Sequence, residues 1–156
     1  MKLTVLTPGS RMPRWVDEAV EEYRKRLPPE LKLELRDLPL GGRGRDTNPA
    51  RAMAEEAKRI RGALPARDRL VVLDVTGKSF TTEQLAQQLE SWQMSGDNYS
   101  LVIGGPDGVD PSLLAEAQLR WSLSPLTLPH PLVRVVLVEQ LYRAWTINSG
   151  HPYHRS

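Results

Sequence analysis

The sequence predicts an α/β fold with a mostly parallel sheet covered by helices on both faces. Three observations carry this. Apolar runs of strand length alternate with segments of helical periodicity along all 156 residues. No two strands are joined by a two-residue hairpin turn, so neighbouring strands return through helices. Finally, "RLVVLDVT" contains the continuous apolar run Leu70-Val71-Val72-Leu73, the mark of a strand buried on both faces.

Each element has its own warrant. Residues 3–7 (LTVLT) read as a first strand broken by "PGSRMP". Residues 14–27 place Trp15, Ala19, Val20, Tyr23 and Leu27 at helical spacing, with "DEAVEE" early and "RKR" late, complementing the helix dipole. "LKLELRDL" alternates Leu31, Leu33 and Leu35 with charged residues, a strand with one solvated face. Pro49 suits the first turn of a helix running to about Arg61, capped by Thr47 or Asn48. "RLVVLDVT" is a third strand. Thr81 and Gln84 form a capping box for a helix to about Gln93. "YSLVIGG" is a fourth strand, Asp110-Pro111 starts a short helix, "RWSLS" is a fifth strand, and "HPLVRVVLVEQLYRAWTIN" is a long last helix. Trp92, Trp121 and Trp145 read as core. The chain shows no linker or repeat, so residues 1–156 read as one domain.

Composition narrows the chemistry. With no cysteine, disulfides, thiolate nucleophiles and cysteine metal sites are excluded. No apolar run approaches a membrane span, since Arg134 interrupts the longest one. The first residues are too short an apolar stretch for a signal peptide. Net charge is only +2, but the positive charge is concentrated. From Arg120 onward there are four arginines, three histidines and one acid, Glu139; "GGRGRDTNPAR" has three arginines against one aspartate. Two such zones suit a polyanion or an ordinary solvated surface.

Ligands in open α/β sheets sit outside the carboxyl ends of the strands. Three such ends stand out: "LDVTGK" from Leu73, "IGGPDG" from Ile103, and "LSPLTLP" from Leu123. A nucleotide phosphate fits poorly. Gly77-Lys78-Ser79 has the ending of a phosphate loop, but Val72 stands where its first glycine belongs. "GGPDG" lacks dinucleotide spacing, and Pro106 removes an amide that a phosphate cradle would use. Pro-Asp-Gly makes a turn unaided. Gly104 and Gly105 remain, and they suggest close approach of a flat group to backbone.

The motifs "LDVTGK", "LVIGGPDG", "LSPLTLPHPLVR" and the terminal "HPYHR", with "MPRWV" near the start, resemble one family over essentially the whole chain. This is the SPOUT-class methyltransferases that modify N3 of a pseudouridine in helix 69 of bacterial 23S rRNA. The resemblance implies a C-terminal trefoil knot, a homodimer, S-adenosylmethionine as methyl donor, no metal, a cytoplasmic location and the ribosome as partner. It also implies that Leu73 lines the first cofactor loop and that Gly104 and Gly105 let the cofactor lie against the chain. Leu123, Ser124, Pro125, Leu126, Thr127 and Leu128 would wrap the adenine. Leu126 and Leu128 as core side chains are the competing reading.

N3 of a uracil-type base carries a proton that must be accepted, or its anion stabilised. In the tail, His154 offers a base, Arg155 a cation for a phosphate or the developing oxyanion, and Tyr153 a stacking ring. Arg143 offers a second cation, or pairs with Glu139 four residues earlier. In the family the tail works at the dimer interface. His151, His154 and His130 as a zinc set lack acidic or cysteine company, and His130 reads better as shaping or capping the last helix. A non-catalytic rRNA-binding or ribosome-assembly factor on the same fold is the alternative function.

Overall fold

The computed structural model describes residues 1–9, 11–44 and 48–155. It contains β1 (Lys2–Pro8), α1 (Arg14–Arg24), β2 (Lys32–Leu38), α2 (Pro49–Ala63), β3 (Arg69–Ser79) and α3 (Thr82–Ser95). There follow β4 (Tyr99–Val102), α4 (Pro111–Glu116), β5 (Leu119–Ser122), α5 (His130–Ser149) and a 3-10 turn (Pro152–Arg155). The five strands form one sheet in the order β2-β1-β4-β3-β5, every pair parallel.

Strand alternation divides the core. Leu3, Val5, Leu33, Val71, Leu101 and Ile103 pack with α1, α3 and α5 on one face. Leu6, Leu70, Val72 and Val102 pack with Ala57 and Ile60 of α2 and Leu113 of α4 on the other. Successive side chains of a strand point to opposite faces, so "LVV" serves both layers. The three-layer α/β arrangement expected from the sequence is therefore present.

Local signals explain the helix ends. Asn48 caps α2, its side chain accepting from the Ala50 amide, with Pro49 in the first turn; Thr47, the other candidate, lies outside the described residues. The Thr81–Gln84 capping box forms in both directions, and α3 closes on Gly96 at φ 76. α1 stops at Arg24 rather than Leu27. Pro28 and Pro29 disfavour helical backbone just ahead of them, and the chain tightens into i→i+3 bonds at Arg26 and Leu27.

Two expectations fail by packing. Trp15 is 51% exposed. The inward face of α1 is Val16 and Val20, backed by Tyr23 and Leu27, and a residue one step from Val16 is turned about 100° away. Trp145 is only half-buried, whereas Trp92 and Trp121 are core. β3 also runs past Thr76. Leu73 and Lys78 both lie opposite Trp121, so the residues between them leave the ladder as a bulge.

Candidate active site

The bulged part of β3 and the loops after β4 and β5 frame one cavity of 620 Å³ at the carboxyl edge of the sheet. That is the size and position usual for a small-molecule site in this class of fold. Of the expected cofactor residues, Leu73, Gly104, Gly105, Leu123, Ser124, Leu126, Thr127 and Leu128 line it. Pro125 belongs to the same loop but is not part of the wall. The cavity also takes in Asp74, Val75, Asp107, Trp121 and His130.

The glycine turn is built differently from the sequence-based expectation. Gly105 to Gly108 form a turn closed by the Gly108 amide on the Gly105 carbonyl at 3.0 Å, with Gly108 at φ 92. A Cβ on Gly104 would lie 2.8 Å from the Gly108 carbonyl carbon and from Val109, and one on Gly105 would lie 2.8 Å from Oε1 of Glu56. The side chains these glycines lack would thus strike the protein itself. They permit the turn to close and to sit on Glu56, and the wall that results is backbone.

Leu126 is 74% exposed, which overturns the core reading of its side chain, and Val75 is 57% exposed. Leu126, on the loop after β5, and Val75, in the β3 bulge, both border the cavity. Leu128 is half-buried in the wall. The third loop is held by its serines: Ser124 Oγ accepts from the Leu126 amide at 2.9 Å, and Ser122 Oγ donates to the Ser124 carbonyl at 3.1 Å.

His130 is not a side-chain cap; α5 begins without one. It lines the cavity, and its Nε2 lies 2.9 Å from Nε of Arg134. Arg134 is 3% exposed and pairs with Asp37 at the end of β2. Burial first, and Arg134 second, push the His130 pKa below its ordinary value. The sequence signal for this group was the arginine inside an apolar helix, since a buried guanidinium requires a partner.

The tail lies elsewhere. Tyr153 donates to Glu139 at 3.0 Å, packs edge-on against Tyr142, and lies beneath Arg143, whose guanidinium carbon is 5.0 Å from the ring centre. Arg143 pairs with Glu139 at 2.7 Å, as the i,i+4 spacing suggested. Burial, then hydrogen bonding to Tyr23 and Glu139, raises the Tyr153 pKa, so its phenol stays protonated. His154 Nδ1 lies 2.9 Å from the His151 carbonyl and donates to it. The lone pair of neutral His154 is therefore on Nε2. Arg155 is exposed.

The structure therefore gathers the loops expected to hold a cofactor into one place and Arg143 with the tail into another. Glu139 stands more than two turns beyond His130 on α5, on the order of 13 Å along the axis. None of Arg143, Tyr153, His154 or Arg155 lines the cavity. Among the described residues no cluster of three or more His, Asp or Glu could hold a metal ion, and no helix is long and apolar enough to cross a membrane.

Known proteins place this architecture. The family described as "Predicted SPOUT methyltransferase" matches residues 1–154. The chain is 52% identical to a protein of Azotobacter vinelandii named ribosomal RNA large subunit methyltransferase H, over 99% of this chain and 100% of that one. It is 54% identical to the protein of the same name from Saccharophagus degradans and 48% identical to that from a Marinomonas species, with the same coverage. With the β3 bulge and two strand-end loops around one cavity, and a match over nearly its whole length, the chain belongs to the SPOUT methyltransferase family.

Proposed function

We propose that this chain is a single-domain, S-adenosylmethionine-dependent methyltransferase that acts on N3 of a pseudouridine in helix 69 of 23S rRNA, in the cytoplasm, as a homodimer. The observation that carries the cofactor is the charge of the cavity. Among the described residues its wall contains Asp74 and Asp107 and no lysine or arginine. A phosphate would meet Asp74 there with no lysine or arginine in the wall, Asp107 being already paired with Arg43 from behind it, whereas a sulfonium cation suits such a wall. The rest of the wall is apolar side chain and loop backbone, which fits an adenine ring and its edge. Leu73, the Gly104–Gly105 backbone, and Leu123 to Leu128 would hold the cofactor, which supplies a methyl group on positive sulfur.

The tail supplies what the cavity lacks. Nε2 of His154 is the acceptor for the N3 proton, and Arg155 offsets the charge left on the base. Tyr153, fixed as a phenol, holds rather than deprotonates. One chain does not bring these groups to its own cavity, so the tail of a second copy completes the site. The outer face of α5 supports this: Leu132 is 39% exposed and Val135 and Val136 are only half-buried. A helix with apolar residues on nearly all sides seeks cover on more than one. A trefoil knot belongs to the same reading. It is supported by the path of residues 123–130, which leave edge strand β5 and reach Thr7 of β1 through His130.

The test is mass spectrometry of 23S rRNA from a deletion strain, with and without this gene restored. The methyl group on the helix 69 pseudouridine should vanish and return. Its persistence in the deletion strain would overturn the substrate. Absence of S-adenosylmethionine binding at millimolar concentration in calorimetry would reduce the chain to an rRNA-binding factor.

A further inference from the structure

Glu56 lies on α2, outside the cavity, and is 2% exposed. A buried carboxylate must be paired, and this one is paired fully. It accepts from the Gly41 amide at 2.9 Å, and from Nη1 and Nη2 of Arg43 at 2.6 and 3.1 Å. Its other neighbour is Gly105, against which its Oε1 is packed. The same Arg43 guanidinium turns its Nε to Asp107 at 2.9 Å. One planar cation therefore bridges α2, the 41–44 loop and the Gly105–Gly108 turn.

That turn is a wall of the cavity, and it has little of its own to hold it. One backbone bond closes it, between two glycines. The 41–44 segment is equally dependent. Besides the Gly41 bond to Glu56, it is tied by Gly42 to Glu55 at 3.0 Å and by Arg43. Each segment is thus ordered mainly through a group it shares with the other. Arg43 was one of three arginines that made this loop look like a polyanion surface; it faces inward and is only a quarter exposed.

We propose that Arg43 and Glu56 are positioning residues for the methyl-donor cavity, setting the Gly105–Gly108 wall from outside and coupling cofactor binding to order in the 41–44 loop. The inference rests on the cavity being the cofactor site. Guanidinium geometry is essential to it, because two carboxylates on different elements are met by one rigid fork. Coupling between two sites is reciprocal in binding free energy. An ordered 41–44 loop therefore tightens cofactor binding by the same factor by which bound cofactor favours the ordered loop.

The experiment pairs calorimetry with amide hydrogen exchange, using S-adenosylmethionine and S-adenosylhomocysteine on the full chain. Arg43→Ala should weaken both ligands by roughly tenfold. Arg43→Lys should lie nearer to alanine than to wild type, since an ammonium cannot span both carboxylates. Arg61→Ala breaks a different link from α2, to Glu116 and Ser112 at 2.9 and 2.8 Å, and should leave affinity unchanged. In the wild type, S-adenosylhomocysteine should slow exchange at Gly41 and Gly42; in Arg43→Lys it should not. A merely structural role would lower melting temperature without moving affinity or ligand-dependent exchange. Wild-type affinity in folded Arg43→Lys, or unprotected Gly41 and Gly42 in liganded wild type, overturns the proposal. Failure of the wild type to bind either ligand overturns the cofactor reading beneath it.

Discussion

His130 shows how one side chain links the cavity to the rest of the fold. Arginine is only a donor, so the contact with Arg134 fixes Nε2 as the acceptor and places the proton on Nδ1. The backbone of Gly104, beside the ring, favours its protonated form. Four influences meet at the ring: burial and Arg134 lower its pKa, while the Gly104 backbone and Asp37 oppose them more weakly. The folded state therefore holds neutral His130 where the unfolded chain, with a value of about 6.5, begins to protonate. The unfolded state binds more protons below that value, so stability falls as pH drops through it. Between pH 7.5 and 5.5 the wild type should lose more melting temperature than His130→Asn. Parallel losses in the two proteins would show that His130 does not titrate as described. Gly104 and Gly105 carry the complementary lesson. Their place in the wall of a strand-end cavity was legible, but the direction of their missing side chains was not. Gly105→Val accordingly probes Glu56 as much as the cofactor.

At the scale of elements, strand-end loops and helix caps were readable because their signals are local. The Thr81–Gln84 box, Asn48-Pro49 and the Pro-Asp-Gly turn depend on residues a few positions apart. The β3 bulge was not readable, because it exists only through the partner strand. Exposure of Leu126 was hidden for a similar reason: an apolar residue reads as core until a loop is seen to carry it outward. The tail is an element of its own, a single turn folded back on α5 through Tyr153. Truncation after His151 removes that turn and no cavity residue. S-adenosylmethionine affinity should stay within about twofold of wild type, while methyl transfer falls by about 10²-fold or more, the scale of lost acid–base catalysis. Retained transfer in the truncated protein would remove the tail from the chemistry.

At the scale of the molecule, separation of cavity and tail leads to a mixing experiment. Gly104→Val has no room for its side chain against Gly108 and Val109 and should abolish the cofactor site while sparing the tail. The truncated chain has the opposite defect. If tails act across a two-fold interface, subunit exchange between these inactive proteins restores about a quarter of wild-type activity, from one complete site in each mixed dimer. No activity after verified exchange would mean that each tail serves its own chain. By itself the sequence determined the β-α alternation, the three segments at the carboxyl ends of the strands, most caps, and the motifs that mark the family. All of these depend on periodicity, turn chemistry or short contiguous patterns. Only the tertiary structure decided the strand order, the pairing of Arg43 with Asp107 and of Asp37 with Arg134, and the distance from cavity to tail. Those partners are far apart in the chain. Their meeting depends on which strands become neighbours and how far α5 extends, and no local pattern contains that information.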